Sequence, residues 1–259
     1  MIKFNKMHGN GNDFVVINSL INDFVLSKGK ISKLADRNNG IGFDQLILIE
    51  APTNKEADFF IRFFNSDGTT AKMCLNGIRC AASFIWSEKL SPHKKIQLQT
   101  STRTIWCSRK GSLVEAIIEM PNHIEDRDLD KNINKHLSAA TYSLVDCGNK
   151  HLCIKLGSIN DYKLEELYKK LQPEITTKKI NLSIYKKNGG DIYIRTYENG
   201  AGETLSCGSA SASVASIELH KKSKTTIISS GGKLQFSPYK DKLKMIGPAK
   251  NVFKGVIEE

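Results

Sequence analysis

Several protein classes are excluded by what the chain does not contain. Its 259 residues include only 6 prolines and 2 tryptophans, and no stretch is low in complexity, which excludes collagen-like, coiled-coil and disordered classes. No apolar run approaches the ~18 residues of a membrane span. The opening stretch MIKFNKMHGNGNDFVVIN has neither the basic-then-apolar pattern nor the small-residue cleavage site of a secretory signal. The expectation is a cytoplasmic protein with no membrane partner. There the six cysteines, Cys74, Cys80, Cys107, Cys147, Cys153 and Cys207, are expected as reduced thiols rather than a disulfide framework.

Metal-ligand spacing is also missing. Cys74/Cys80 and Cys147/Cys153 each enclose five residues, where structural zinc takes about two to four, and no histidine pair stands at a ligand spacing. There is no Cys-x-x-Cys for thiol exchange. Lys and Arg exceed Asp and Glu by 38 to 27, a net charge of +11, yet the lysines are scattered (Lys94-Lys95, Lys169-Lys170, Lys178-Lys179) and not interleaved with aromatics. That pattern is a solvated surface and not a nucleic-acid platform.

What is present is a repeat. Cys207 follows Cys74 by 133 residues, and at that offset Asp58/Asp191, Ile61/Ile194, Arg62/Arg195, Ala82/Ala215 and Ser83/Ser216 are identical. Upstream, Gly11-Asn12 matches Gly148-Asn149 and Gln45-Leu46 matches Asn181-Leu182 at nearly the same offset. The length suits two units of about 130 residues. Each carries an apolar strand, a polar turn, a cysteine and a helix. Ile78, Ala81, Ala82 and Ile85 follow Cys74 at helical spacing, as Ala210, Val214 and Ile217 follow Cys207. Residues 161–171 read as a surface helix starting at Asp161. Short β-branched and aromatic runs such as DQLILIE, IQLQTSTRTIWC and TTIISS read as strands. The class is α+β in two similar lobes, dividing near Met120-Pro121-Asn122.

Cysteine is ordinarily a small buried hydrophobe, and Cys80, Cys107 and Cys153 are read so. Cys74 and Cys207 differ, because only they recur in both halves. Each stands at a helix start, where orphan N–H groups and the macrodipole favour negative charge and lower a thiol pKa. One of a facing pair can be thiolate while its neighbour stays protonated. Such a pair removes an α-proton from one face of a carbon and returns it on the other. The N–H groups of Leu75-Asn76 and Gly208-Ser209 can cradle the carboxylate as it gains enolate character. Asn12, Gln45, Asn65, Asn149 and Asn181 supply neutral amides that fix a zwitterion without disturbing thiol charge. His151, beside an apolar stretch, fits either a core or an active-site role.

These stretches resemble the diaminopimelate epimerase family over essentially the whole chain. The matching segments are MHGNGNDFVVIN (7–18), NGIGFDQLILIE (39–50), IRFFNSDGTTAKMCLNGIRC (61–80), GNKHLCI (148–154), INLSI (180–184) and YENGAGETLSCGSA (197–210). The resemblance implies two pseudo-symmetric lobes, each a barrel-like mixed or antiparallel sheet around a central helix, with the active site in the cleft between them. The first lobe spans 1–120 with a returning strand at 249–259, and the second 121–248. It implies catalysis by Cys74 and Cys207, and substrate contacts at Asn12, Gln45, Asn65, Leu75, Asn76, Asn149, Asn181, Glu198, Asn199, Gly208 and Ser209, with His151 in support. No pyridoxal phosphate or metal is expected, and a homodimer is implied by the resemblance alone.

The chain departs from the family at Leu75, where glycine is usual, at Lys150 and at Ser209-Ala210. Asn199 stands where the family has the arginine that pairs with the distal carboxylate of diaminopimelate. The expected reaction interconverts LL- and meso-2,6-diaminopimelate, serving lysine and peptidoglycan synthesis. Leu75 and Asn199 motivate an alternative, racemisation of an amino acid lacking that carboxylate, such as histidine. A non-catalytic module that binds an anion is the third reading.

Overall fold

Strands dominate the fold because short β-branched and aromatic runs dominate the sequence. The computed structural model describes residues 1–20, 26–136, 141–219 and 224–258; Glu259, the end of the returning strand expected from the sequence, lies outside them. The chain divides into two units, Met1–Ile117 with Ile246–Glu259, and Ile118–Met245.

The elements begin with β1 (Ile2–Gly9), β2 (Asn12–Asn18), α1 (Lys28–Ala35), β3 (Gln45–Glu50), β4 (Phe59–Asn65) and β5 (Thr70–Ala71). Then come α2 (Leu75–Ser87), β6 (Lys95–Gln99), β7 (Thr104–Lys110), β8 (Leu113–Glu119), β9 (Asn122–Ile124) and α3 (Arg127–His136). They continue with β10 (Thr141–Asp146), β11 (Lys150–Lys155), α4 (Leu164–Lys170), α5 (Glu174–Thr177), β12 (Asn181–Asn188) and β13 (Asp191–Glu198). The last are β14 (Gly202–Thr204), α6 (Gly208–Glu218), β15 (Thr225–Ser229), β16 (Gly232–Tyr239), β17 (Lys242–Pro248) and β18 (Lys250–Ile257).

In the first unit β1 and β2 form an antiparallel hairpin, and β2 runs parallel to β3 with Phe14 opposite Gln45. Antiparallel β4 follows with Gln45 opposite Asn65, and β6 lies parallel to β4 with Phe59 opposite Leu98. β18 returns to pair with β1, Phe4 opposite Gly255. Glycine is needed there because an added Cβ would stand 2.5 Å from the Phe4 ring.

The second unit repeats this order. β10 and β11 form the hairpin, β11 runs parallel to β12 with His151 opposite Asn181, and β12 pairs antiparallel with β13. β15 lies parallel to β13, and β9 sits on β10 as β18 sits on β1. Each unit is therefore a mixed sheet with a helix against its inner face, the α+β class expected.

The central helices are buried for different reasons. Every residue of α2 except Ser83 and Ser87 is buried, as befits a helix apolar around most of its circumference. α6 is built of Ala, Ser and Val, small enough to approach the sheet closely. At Gly77 of α2 an added Cβ would lie 2.5 Å from Phe63 and 3.1 Å from Phe14.

The surface helix expected at 161–171 is shorter, Leu164–Lys170 with Lys163 at its N-cap. Arg195 donates to the carbonyls of Ile159 and Tyr162 at 2.7 and 2.9 Å. These bonds hold the backbone around Asp161 as a turn, so Asp161 does not start the helix.

Candidate active site

Seven of the polar residues singled out in the sequence lie at strand ends or in the turns beside them. Asn12, Gln45 and Asn181 open β2, β3 and β12, Asn65 and Glu198 close β4 and β13, and Asn149 and Asn199 stand in the adjoining turns. Since β2 and β3 start where antiparallel β4 ends, Asn12, Gln45 and Asn65 share one rim of the first unit's sheet. Gln45 Nε2 donates to Asn65 Oδ1 at 3.0 Å, and Asn65 Nδ2 to Thr69 Oγ1 at 3.1 Å.

Cys74 is the N-cap of α2, in extended conformation, and its carbonyl accepts the first helical bond from Ile78 at 2.8 Å. Its half-buried thiol donates to Asn12 Oδ1 at 3.3 Å. Asn76 Nδ2 reaches the same oxygen at 3.4 Å. Asn12 Nδ2 donates to Asp44 Oδ2 at 2.7 Å, and a carboxylate only accepts, so the amide must turn its oxygen to the sulfur. Arg37 braces Asp44 and Asp13 at 2.8 Å, and Lys6 also binds Asp13. Burial raises the Asp13 pKa, but the bonds from Arg37 and Lys6 prevail and bring it down to about 2.

Cys207 caps α6 in the same way, its carbonyl accepting from Ser211 at 3.0 Å. Its buried sulfur lies 3.3 Å from Ser209 Oγ. Ser209 Oγ is in turn 2.9 Å from His151 Nε2. His151 is completely buried, and that burial pulls its pKa down to about 3, leaving a neutral imidazole. Asn181 Oδ1 accepts from the Asn199 backbone at 2.9 Å, and Asn199 Nδ2 donates to the Tyr168 hydroxyl at 2.8 Å. Glu198 accepts from Thr204 at 2.7 Å.

The structure thus gathers Asn12, Cys74 and Asn76 in the first unit, and His151, Cys207 and Ser209 in the second. Gln45 with Asn65, and Asn181 with Asn199, form separate bonded pairs, while Asn149 is exposed at its turn. Leu75 and Gly208 are buried as the first residues of their helices. Asp44, Arg79 and Tyr168 bond to these residues and were not singled out in the sequence; Asp44 follows Phe43 in the matched segment 39–50, its one available signal. Among the described residues no three His, Cys, Asp or Glu side chains converge as metal ligands, and no helix is long and apolar enough to cross a membrane.

The diaminopimelate epimerase family profile matches residues 4–116 and 143–252. The chain belongs to that family. It is 35% identical to a diaminopimelate epimerase of Buchnera aphidicola subsp. Baizongia pistaciae, across 98% of this chain and 95% of that one. Solved structures share the fold at low identity. A PhzF-family phenazine biosynthesis protein of Bacillus anthracis superposes with TM-score 0.71 at 12% identity, covering 99% of each chain. A hydroxyproline epimerase of Agrobacterium vitis gives TM-score 0.69 at 12% identity, covering 98% of this chain and 91% of that one.

Proposed function

We propose that the chain is a cofactor-independent amino-acid epimerase in which Cys74 and Cys207 act on one α-carbon from its two faces. The observation that carries this reading is the duplicated N-cap cysteine, each sulfur 3.3 Å from a side-chain oxygen. One sulfur, as thiolate, takes the α-proton, breaking Cα–H and forming S–H. The other, as thiol, delivers its proton to the opposite face of the carbanion, and the pair is left with its proton exchanged.

The carboxylate gains enolate character in between. The first N–H groups of α2 and α6, at Leu75-Asn76 and Gly208-Ser209, are of the kind that stabilise such charge. Asn12, Gln45, Asn65, Asn149 and Asn181 orient the zwitterion with neutral amides, and Glu198 receives the ammonium. The substrate is LL-2,6-diaminopimelate, inverted at one centre to the meso form, in keeping with family membership. The reading includes a homodimer in the cytoplasm, where reduced thiols persist.

Asn199 favours a second reading. Its amide donates to Tyr168, and a neutral amide does not replace an arginine fork on a carboxylate. A pocket of this kind suits an amino acid without a distal carboxylate. α-Hydrogen exchange in D₂O, with reductant, separates the two: deuterium uptake with inversion in LL-diaminopimelate is expected, and uptake confined to single-carboxylate amino acids gives the second reading. C74A and C207A are each expected to abolish inversion, and wild-type turnover in either variant refutes the two-thiol assignment.

A further inference from the structure

Arg79 lies five residues beyond Cys74 on α2 and is 0% exposed. A guanidinium so placed is costly unless its donors are met. Its Nη2 donates to Asn76 Oδ1 at 2.8 Å, its Nη1 to the Leu75 carbonyl at 3.3 Å and its Nε to the Pro248 carbonyl at 3.2 Å. Asn76 passes the connection on, since its Nδ2 meets the Asn12 oxygen that accepts the Cys74 proton. A guanidinium only donates and a carboxylate only accepts. Arg79 at one end and Asp44 at the other therefore lock both amides in one orientation, with an oxygen facing the sulfur.

The positive charge of Arg79 favours the thiolate form of three thiols, Cys80 of α2, Cys74 at the N-cap of the same helix and Cys107 of β7. β1 contributes the Gly9 backbone, where an added Cβ would stand 3.1 Å from Nη2, and β17 the Pro248 carbonyl; neither ionises. Burial pushes Cys80 and Cys107 up to about 12, so both stay neutral. Half-buried Cys74 is the sulfur on which the charge can act.

We propose that Arg79 is a positioning residue for Cys74: through Asn76 and Asn12 it holds an acceptor on the thiol, and its buried charge stabilises the thiolate left when that proton is passed on. The inference rests on the acid–base role of Cys74 in the epimerisation proposed above. A group that gives a proton in one direction and takes it in the other works best when its two states are close in free energy. The Asn12 oxygen favours only the thiol, and Arg79 offsets it.

The test follows iodoacetamide alkylation of Cys74 and Cys207 separately against pH, by peptide mass spectrometry, in the parent, R79M and R79K. R79M keeps the length without the charge, and R79K keeps the charge without the planar fork. In R79M the Cys74 midpoint is expected to rise by about one pH unit or more, slowing alkylation at pH 7 about tenfold, with Cys207 unchanged. R79K restores most of the midpoint, while kcat stays reduced because the ammonium does not reproduce the guanidinium's separate bonds to Asn76 and the Leu75 carbonyl.

A folded R79M, by circular dichroism, with the parent's Cys74 midpoint overturns the proposal. So does a folded R79K whose Cys74 midpoint and kcat both equal the parent's, a result that does not need R79M to fold. Alkylation reads the sulfur and not turnover. An unshifted Cys74 profile in an active R79M enzyme overturns the role of Arg79 and leaves epimerisation standing, whereas a parent without α-hydrogen exchange overturns epimerisation whatever the alkylation shows.

Discussion

His151 Nε2 stands 2.9 Å from Ser209 Oγ, and this contact decides which way the Ser209 proton points. The imidazole is neutral and carries one N–H. Among the described residues its buried Nδ1 meets no hydrogen-bond partner. An orphaned buried N–H is rarer and costlier than an orphaned lone pair, so the proton belongs on Nε2, donated to Ser209. The serine hydroxyl is then directed to Cys207 at 3.3 Å. S209A is expected to lower kcat about 10- to 100-fold, the range for a hydrogen bond to a charged group, and to slow alkylation of Cys207. S209T, which keeps the hydroxyl, retains most of both. Steady-state rates and site-resolved alkylation check this, and an S209A enzyme unchanged in both would remove the serine from the mechanism.

The same histidine sets an acid limit on stability. Below about pH 6.5 the unfolded chain protonates His151, while the folded chain refuses that proton until about pH 3. The unfolded state binds more protons across that window, so stability falls as pH drops through it. The slope approaches ~1.4 kcal/mol per pH unit, and above the window the group adds no pH dependence. Asp13 adds a second loss between its ordinary value of 3.8 and about 2. Urea midpoints from pH 4 to 8 should decline less steeply in H151Q than in the parent, and equal slopes would contradict a neutral buried imidazole.

Gly77 and Ala210 occupy equivalent positions in the repeat, and at Gly77 an aromatic ring stands 2.5 Å from where a Cβ would lie. G77A is expected to cost about 1–3 kcal/mol, as overpacking does. A210G loses about 1 kcal/mol through backbone entropy. Urea titration of each variant measures both, and a neutral G77A would mean that Phe63 and Phe14 yield freely.

The repeat made the two cysteines legible because identity at a fixed offset singles out positions that packing alone leaves variable. Asn12 with Asn149, and Gln45 with Asn181, were legible from a nearly equal offset, and Asn65 from its place at the end of an apolar strand. Arg79 was not, since its counterpart at that offset is Ala212, and the comparison that exposes Cys74 passes over it. Asp44 depends on strand register: the alignment of Phe14 with Gln45 brings the residue before Gln45 beside Asp13, within reach of the Asn12 amide. Tyr168 looks like part of the apolar face of a surface helix, and its hydroxyl bond to Asn199 is a tertiary fact. α1 is not legible in the sequence because its eight residues bury only Ile31 and Ala35, too few for a helical period.

Asn199 offers the sharpest test of substrate. Its backbone is tied to Asn181 and its amide to Tyr168, so the side chain is placed at the end of β13 next to Glu198. An arginine here, as the family resemblance has it, presents a charged fork to a distal carboxylate. N199R gives up the Tyr168 bond, a loss of about 1 kcal/mol in stability. In return KM for LL-diaminopimelate is expected to fall about tenfold, worth ~1.4 kcal/mol, with kcat within about twofold because the reacting carbon is untouched. Single-carboxylate amino acids have no group for the fork and should gain nothing. An unchanged KM would show that the distal carboxylate is met elsewhere, with Lys150 at the start of β11 the first cation to replace, and a gain confined to single-carboxylate substrates would turn the assignment away from diaminopimelate.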